Sequence, residues 1–155
     1  INVDHVSGQT SSAQYYKGIL ADRSRAVFSG TTLIRPDSQR STATQADKNL
    51  LLSEGARVNT KPRPVIYADD VQAAHGATAG ALPDEQVFYM LARGIDMEAA
   101  TSLLIKGFAN EIIDEIGLDG FRSYLENYFE ESVPRFRFQG FGMARAFGGP
   151  TERVA

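Results

Sequence analysis

The chain has 155 residues, a formal net charge of −3 and no cysteine. That length supports one core of moderate size or two small subdomains, and the missing thiols exclude a disulfide framework. No apolar run reaches the roughly 20 residues of a membrane-spanning helix, nothing reads as a signal peptide, and the acidic balance argues against a general nucleic-acid binder.

Residues 1–80 are rich in Ser, Thr, Gln and Gly, with apolar patches at 15–20, 26–34, 50–52 and 64–71. Each patch has strand length and lies beside turn chemistry, such as Ala21-Asp22-Arg23-Ser24, Arg35-Pro36-Asp37 and Lys61-Pro62-Arg63-Pro64. Patches recurring in this way fit either a sandwich or stacked β-helix rungs, and periodicity does not separate the two. His5, in the alternating stretch Val3-Asp4-His5-Val6, has no second ligand at metal spacing and reads as structural or exposed. Ser41-Thr42-Ala43-Thr44-Gln45 reads as a solvated strand face, since no histidine stands near it to activate a nucleophile. Lys17 and Arg35 read as solvated charges. Asp69-Asp70 is an adjacent pair whose side chains diverge on a strand, which favours a turn or ladder role.

The stretch Tyr67-Ala68-Asp69-Asp70-Val71-Gln72-Ala73-Ala74-His75-Gly76-Ala77-Thr78-Ala79-Gly80 carries the second histidine among small residues. Gly76 tolerates close backbone approach, so the neighbourhood of His75 is open to another surface or a ligand. On these residues alone, a histidine satisfied by backbone groups at a strand end is the better reading.

From Pro83 the pattern becomes helical. Pro83-Asp84-Glu85 suits a first turn, Val87, Phe88 and Leu91 share a face, and Gly94 fits a stop. Asp96 is a good N-cap for a helix with a stripe of Ala100, Leu103, Leu104, Gly107, Phe108, Ile112, Glu115 and Ile116. Gly107 would let a partner helix come close. After Gly117, the residues Phe121, Tyr124, Leu125, Tyr128 and Phe129 form a second stripe that stops near Pro134. The two helices, over 96–116 and 119–133, are expected to fold back as a hairpin with both stripes in the core. Ile105, Ile113 and Tyr89 fall off the stripes and read as apolar surface for a partner, with Lys106 beside them. The tail over 135–155 interleaves Arg135, Arg137, Arg145 and Arg153 with Phe136, Phe138, Phe141 and Phe147. It is expected to be disordered.

Several of these segments together resemble the SufB/SufD family of scaffold proteins for iron–sulfur cluster assembly. They are His75-Gly76-Ala77-Thr78, Phe88-Tyr89 and Arg93-Gly94-Ile95, with Tyr16-Lys17-Gly18-Ile19-Leu20, Val27-Phe28-Ser29-Gly30, Thr42-Ala43-Thr44-Gln45 and Asn49-Leu50-Leu51-Leu52-Ser53 upstream. At the histidine the chain is similar to the SufD branch, whose pattern is Ser-His-Gly-Ala-Thr, rather than to the Cys-Arg-x-Gly-Asp of SufB. Relatives commonly carry Cys-Ser where this chain has Ala73-Ala74.

The resemblance implies a mostly β fold with α: the last rungs of a right-handed parallel β-helix over 1–80, then a C-terminal helical subdomain over 82–134. The family's proteins are longer, so the chain is expected to be a C-terminal portion with an open rung near Ile1, which should pair with a second copy or be buried under the chain's own tail. The resemblance also implies a cytoplasmic, non-catalytic subunit that pairs with a SufB-like scaffold and docks a SufC-like ATPase through Ile105, Lys106 and Ile113. No catalytic residue is expected. His75 is the candidate metal or cluster ligand, acting with a partner thiolate, because iron–sulfur clusters are held mainly by thiolates with histidine in a minority of centres. The iron–sulfur cluster would be transient cargo of the full complex, with no cofactor bound stably by this chain alone. No phosphate-cradling Gly-rich loop ends in Gly-Lys-Ser/Thr, so ATP hydrolysis would belong to a partner. Two other readings stand beside it. One is a β-helix enzyme acting on polysaccharide, for which Asp69, Asp70 and Lys17 are the local candidates. The other is a nucleic-acid module led by the Arg/Phe tail.

Overall fold

A computed structural model describes residues 1–132. The Arg/Phe tail and the expected helix stop near Pro134 lie outside the described residues. In chain order the elements are β1 (Asn2–His5), β2 (Ser11–Leu20), β3 (Arg25–Ile34), β4 (Ser41–Leu51), β5 (Arg57–Ile66), β6 (Val71–Gly80), α1 (Asp84–Leu91), α2 (Met97–Ile113) and α3 (Asp119–Ser132). The fold is mixed α/β, with two parallel three-stranded sheets and three helices among the described residues. The described residues divide into two compact units, one of Ile1–Ile19, Arg25–Leu50 and Arg57–Gly80, the other of Leu20–Ser24, Leu51–Ala56 and 81–132.

In the first unit the strands alternate between sheets, β1-β3-β5 in one and β2-β4-β6 in the other. Parallel neighbours need a long crossover, usually a helix; here each crossover is a strand of the other sheet. Asn2 pairs with Thr31, Arg25 with Arg57 and Ser41 with Val71, so sheet neighbours lie 29, 32 and 30 residues apart. Corners repeat with the same spacing. Gln9 and Arg40 both take positive φ, at 59° each, and Gln9 N donates to Gln39 O at 2.9 Å.

The two sheets face each other across a thin core. Ile34, Ala43 and Ala68 form its apolar cluster, with Val71 packed against it. The rings of Tyr16 and Phe28 meet at 4.6 Å, and Gln14 Nε2 donates to Thr32 Oγ1 at 3.2 Å. Much of the interior is polar: His5, Thr32, Ser38, Ser41, Gln45, Asp47 and Asn49 are all buried. Such groups must be hydrogen-bonded or they cost stability, and most are. His5, 4% exposed, lies between the hydroxyls of Thr10 at 2.7 Å and Ser12 at 2.9 Å, and Thr10 passes the chain on to Ser41 at 3.0 Å. It is a core histidine, and the surface alternative does not hold.

Two sequence expectations are corrected here. Lys61-Pro62-Arg63-Pro64 is no turn but part of β5, and proline is tolerated there because β5 is an edge strand. The row Ser41-Thr42-Ala43-Thr44-Gln45 is no solvated face: it opens the central strand β4, where Ser41, Ala43 and Gln45 are buried. Asp69 and Asp70 do sit in a bend, where Asp70 N donates to Gln39 Oε1 at 2.9 Å.

In the second unit, Leu20–Ser24 and Leu51–Ala56 are joined by Leu52 N to Leu20 O at 2.8 Å and Ser53 Oγ to Asp22 O at 2.8 Å. A Cβ on Gly55 would stand 2.4 Å from Asp22 O, so only glycine fits. Helix α1 begins after Pro83, and Gly94 at φ 81° turns the chain out of it. Asp96 caps α2 through Oδ1 to Ala99 N at 2.8 Å. Lys106 on α2 bonds Glu130 on α3 at 2.9 Å, which shows the helices folding back on each other. The aromatic stripe of α3 is not core: Phe121, Tyr124 and Tyr128 are exposed and stack at 6.4 Å centroid spacing, and no α3 residue is buried. Gly107 has nothing within 4 Å of the position a Cβ would take. It seats no neighbouring helix among the described residues.

Arg35 clasps Asp4 through both carboxylate oxygens, at 3.1 Å and 2.8 Å. These bonds hold the Asp4 carboxyl below its ordinary value of 3.8. A depressed folded-state value stabilises the fold above the unfolded value and loses that effect as pH falls through the folded one. Both groups are exposed to solvent, so the effect is small. Carbon-detected NMR titration should place the Asp4 midpoint below 3.8 and return it toward 3.8 in Arg35→Gln. A midpoint indifferent to Arg35 would contradict the clasp.

Candidate functional site

Among the described residues, strand β6 is the last strand of its sheet and pairs on one side only, with β4. From Gln72 to Gly80 every residue is exposed, and none is charged. Native edge strands are usually guarded by Lys, Pro, bulges or shortness. The edge of the facing sheet has such guards: β5 carries Lys61, Pro62, Arg63 and Pro64. β6 carries none over ten residues.

His75 lies in mid-strand on β6 rather than at a strand end, so the expected strand-end position is corrected. It is opposite Gln45 of β4, with Ala73 opposite Ala43 and Ala77 opposite Asp47. Paired residues of a parallel sheet point the same way, so Ala73, His75 and Ala77 continue the inward face of β4 beyond its covered part. The methyl groups of Ala73 and Ala77 leave the imidazole the one large group in that stretch. Thr32, Gln45, Pro64, Ala73 and His75 are among the residues lining a cavity of about 10 Å³. Gln45, 4% exposed, has its Nε2 buried without a hydrogen-bond partner; Asp47, two positions along the same face and 3% exposed, has Oδ2 in the same condition.

Among the described residues, no three His, Asp or Glu side chains gather as a metal site. One imidazole is what this strand offers a metal, and the sequence has no cysteine to add a thiolate. Asp69 and Asp70 share a bend, the turn position that their adjacency favours.

In the helical unit, Ile105 and Ile113 are not spare surface: they are 2% and 7% exposed. The buried face of α2 is Ala100, Thr101, Ile105, Ala109 and Ile113, while Leu103 and Gly107 of the expected stripe are exposed. The sequence is apolar nearly all round this helix, so spacing alone cannot choose its inner face. Lys106 is half-exposed and paired with Glu130. Tyr89 is exposed as expected, with the Arg93 guanidinium 3.4 Å above its ring.

Residues 1–108 match the family model described as SUF system FeS cluster assembly, SufBD core domain. The chain belongs to the SufBD family. It is 38% identical over 132 residues to the iron–sulfur cluster assembly protein SufD of Escherichia coli, covering 85% of this chain and 31% of that protein. It is 43% identical over 118 residues to a SufBD family protein of Synechocystis, covering 76% of this chain and 26% of the relative. SufD of Bacillus subtilis is 33% identical over 116 residues, with 75% and 26% covered. The chain thus spans about a third or less of the length of these relatives. It is SufD-like, and its family role is iron–sulfur cluster assembly. Among the described residues, no helix is long and apolar enough to cross a membrane.

The inverted phase of α2 has a measurable consequence. Ile105→Ala should cost about 2–5 kcal/mol of stability, as for other buried Ile and Leu truncations, whereas Leu103→Ala should cost under about 1 kcal/mol. A larger loss for Leu103→Ala than for Ile105→Ala in denaturant titration would mean that the sequence stripe, not the observed face, is the buried one.

Proposed function

We propose that this SufBD-family chain is a non-catalytic scaffold whose β6 edge is the docking strand for a SufB-like subunit. The alternating parallel strands at 1–80 would be the last rungs of a right-handed parallel β-helix, and 82–134 its helical subdomain. The observation that carries the proposal is the edge itself: ten uncharged, unguarded residues carrying an inward-directed imidazole at the end of the stack. Added strands bring main-chain hydrogen bonds and a continuous sheet. A second copy of the chain could use the same edge, so a homodimer is the competing assembly.

His75 would then meet the partner's side chains across the new pairing. A neutral imidazole is a good metal ligand, and iron–sulfur centres accept histidine among thiolates. The cluster is cargo, assembled between the subunits and released. The helical unit would dock a SufC-like ATPase in the cytoplasm. Burial removes Ile105 and Ile113 from that surface, leaving Lys106 with the exposed Leu103, Phe121, Tyr124 and Tyr128.

Two experiments on the full-length protein test this. A lysine at Ala77 should weaken pairing with the SufB-like subunit at least about tenfold, equivalent to about 1.4 kcal/mol, by setting a charge on the edge. Undiminished pairing would remove β6 from the interface. His75→Ala should leave the complex assembled but lower iron and sulfide content on reconstitution. An intact complex with unchanged iron and sulfide would refute ligation by His75.

A further inference from the structure

The outer face of the sheet β1-β3-β5 is basic. Gly30, Thr32 and Ile34 of β3 are buried, so the alternate residues Arg25, Val27, Ser29 and Thr31 face outward. Register sets Arg57 beside Arg25, Lys61 beside Ser29 and Arg63 beside Thr31. Arg25, Arg57, Lys61 and Arg63 are all exposed. Lys61 and Arg63, two residues apart on one strand, stand about 6.6 Å from each other. The only acid in the three strands is Asp4, and Arg35 already clasps it. Among the cations lies Val27, an exposed apolar side chain.

The helical residues have the opposite chemistry. Residues 81–132 hold eleven acids against three bases, a net charge of −8, whereas residues 1–80 carry nine bases against seven acids, a net charge of +2. In α3 no residue is buried, and Phe121, Tyr124 and Tyr128 form one exposed row with their rings stacked at 6.4 Å. Glu131, three residues past Tyr128, extends the row with an exposed carboxylate. Contiguous exposed apolar surface marks interaction sites, as scattered single residues do not. Aromatic faces attract guanidinium and ammonium groups, and this chain already stacks Arg93 on Tyr89. A row of rings ended by a carboxylate is therefore complementary to a patch of Arg and Lys around an apolar side chain.

We propose that these two faces are the halves of one interface, and that the occupant of each is a second copy of this chain. Arg25, Lys61 and Arg63 of one copy lie against Phe121, Tyr124, Tyr128 and Glu131 of the next, with Val27 among the rings. The two surfaces differ, so the contact is heterologous and repeats head to tail instead of closing as a symmetric pair. That separates it from a homodimer through β6, where like edges meet. Its affinity rests on charge and on cations over rings, so salt weakens it. The inference stands apart from the reading of β6 and His75, and it concerns the protein before an ATPase takes the helical unit.

The test uses full-length protein without partners, and every form carries Ala77→Lys so that pairing through β6 does not contribute. In sedimentation at about 0.01 M salt, where the screening length is about 30 Å, the mass should rise with concentration beyond a dimer. At about 1 M salt it should fall back toward the monomer. Lys61→Glu with Arg63→Glu removes the basic face, and Tyr124→Ala with Tyr128→Ala removes the aromatic one. All four side chains are exposed, so the fold should tolerate both changes. Each variant alone should associate at least tenfold more weakly. An equal mixture of the two should form one-to-one dimers that grow no further, since each variant keeps one intact face. Unchanged association in either variant, or a mixture that does not pair, overturns the proposal. So does a parent protein that stays monomeric at about 0.01 M salt, which would leave the two faces to other partners. These readouts involve neither SufB-like pairing nor His75, so a failure here leaves that reading intact.

Discussion

Parallel register is the constraint on which the strand half depends. Because each strand repeats the position of one 29 to 32 residues earlier, a side chain's neighbours are decided by the rung spacing and not by its own local sequence. A slip of one residue would turn every inward group outward. The corners enforce the spacing. Gln9 and Arg40 adopt the left-handed conformation one rung apart, a strain that L-residues accept only when the surrounding bonds fix it. Gly55, pressed against Asp22 O, does the same for the opposite loops of the second unit.

That spacing also explains a polar interior. Stacked rungs bring like positions together, so a hydroxyl or amide on one strand can find a partner on the next. In the chain from Ser12 through His5 and Thr10 to Ser41, the step from Thr10 to Ser41 is built this way. Low dielectric strengthens such networks and equally penalises a gap in them. Gln45 Nε2 and Asp47 Oδ2 are the gaps among the described residues, and both lie on the strand next to β6. Beside them on β6 stand His75 and Ala77, so the neighbour of Asp47 in the next rung is a methyl group.

The two sheet edges at this end are unlike each other, and the difference is chemical. Proline removes hydrogen-bond donors and lysine resists desolvation, so β5 discourages an added strand. β6 has neither residue. The fold thus guards one edge and leaves the adjacent one, the strand that holds His75, bare.

By itself the sequence determined the order of β half and helical half, the Asp96 cap, the bend at Asp69-Asp70 and the family, because these rest on local chemistry or on motifs in fixed order. It misread Pro62 and Pro64 as turn residues, since proline's meaning depends on whether its strand is an edge, which no local window contains. It set Ile105 and Ile113 outside the core because α2 is apolar on several faces and only packing chooses between them. His75 was legible as a residue of interest from its small neighbours. Gln45 was not, for nothing marks one glutamine in a Ser/Thr-rich run as buried. Only the tertiary structure, by stacking residue 45 beside residue 75 and packing its amide against Gly30, showed that side chain to be interior. The reason is physical: a strand fixes which way a side chain points, but what it meets there is decided by a rung 30 residues away.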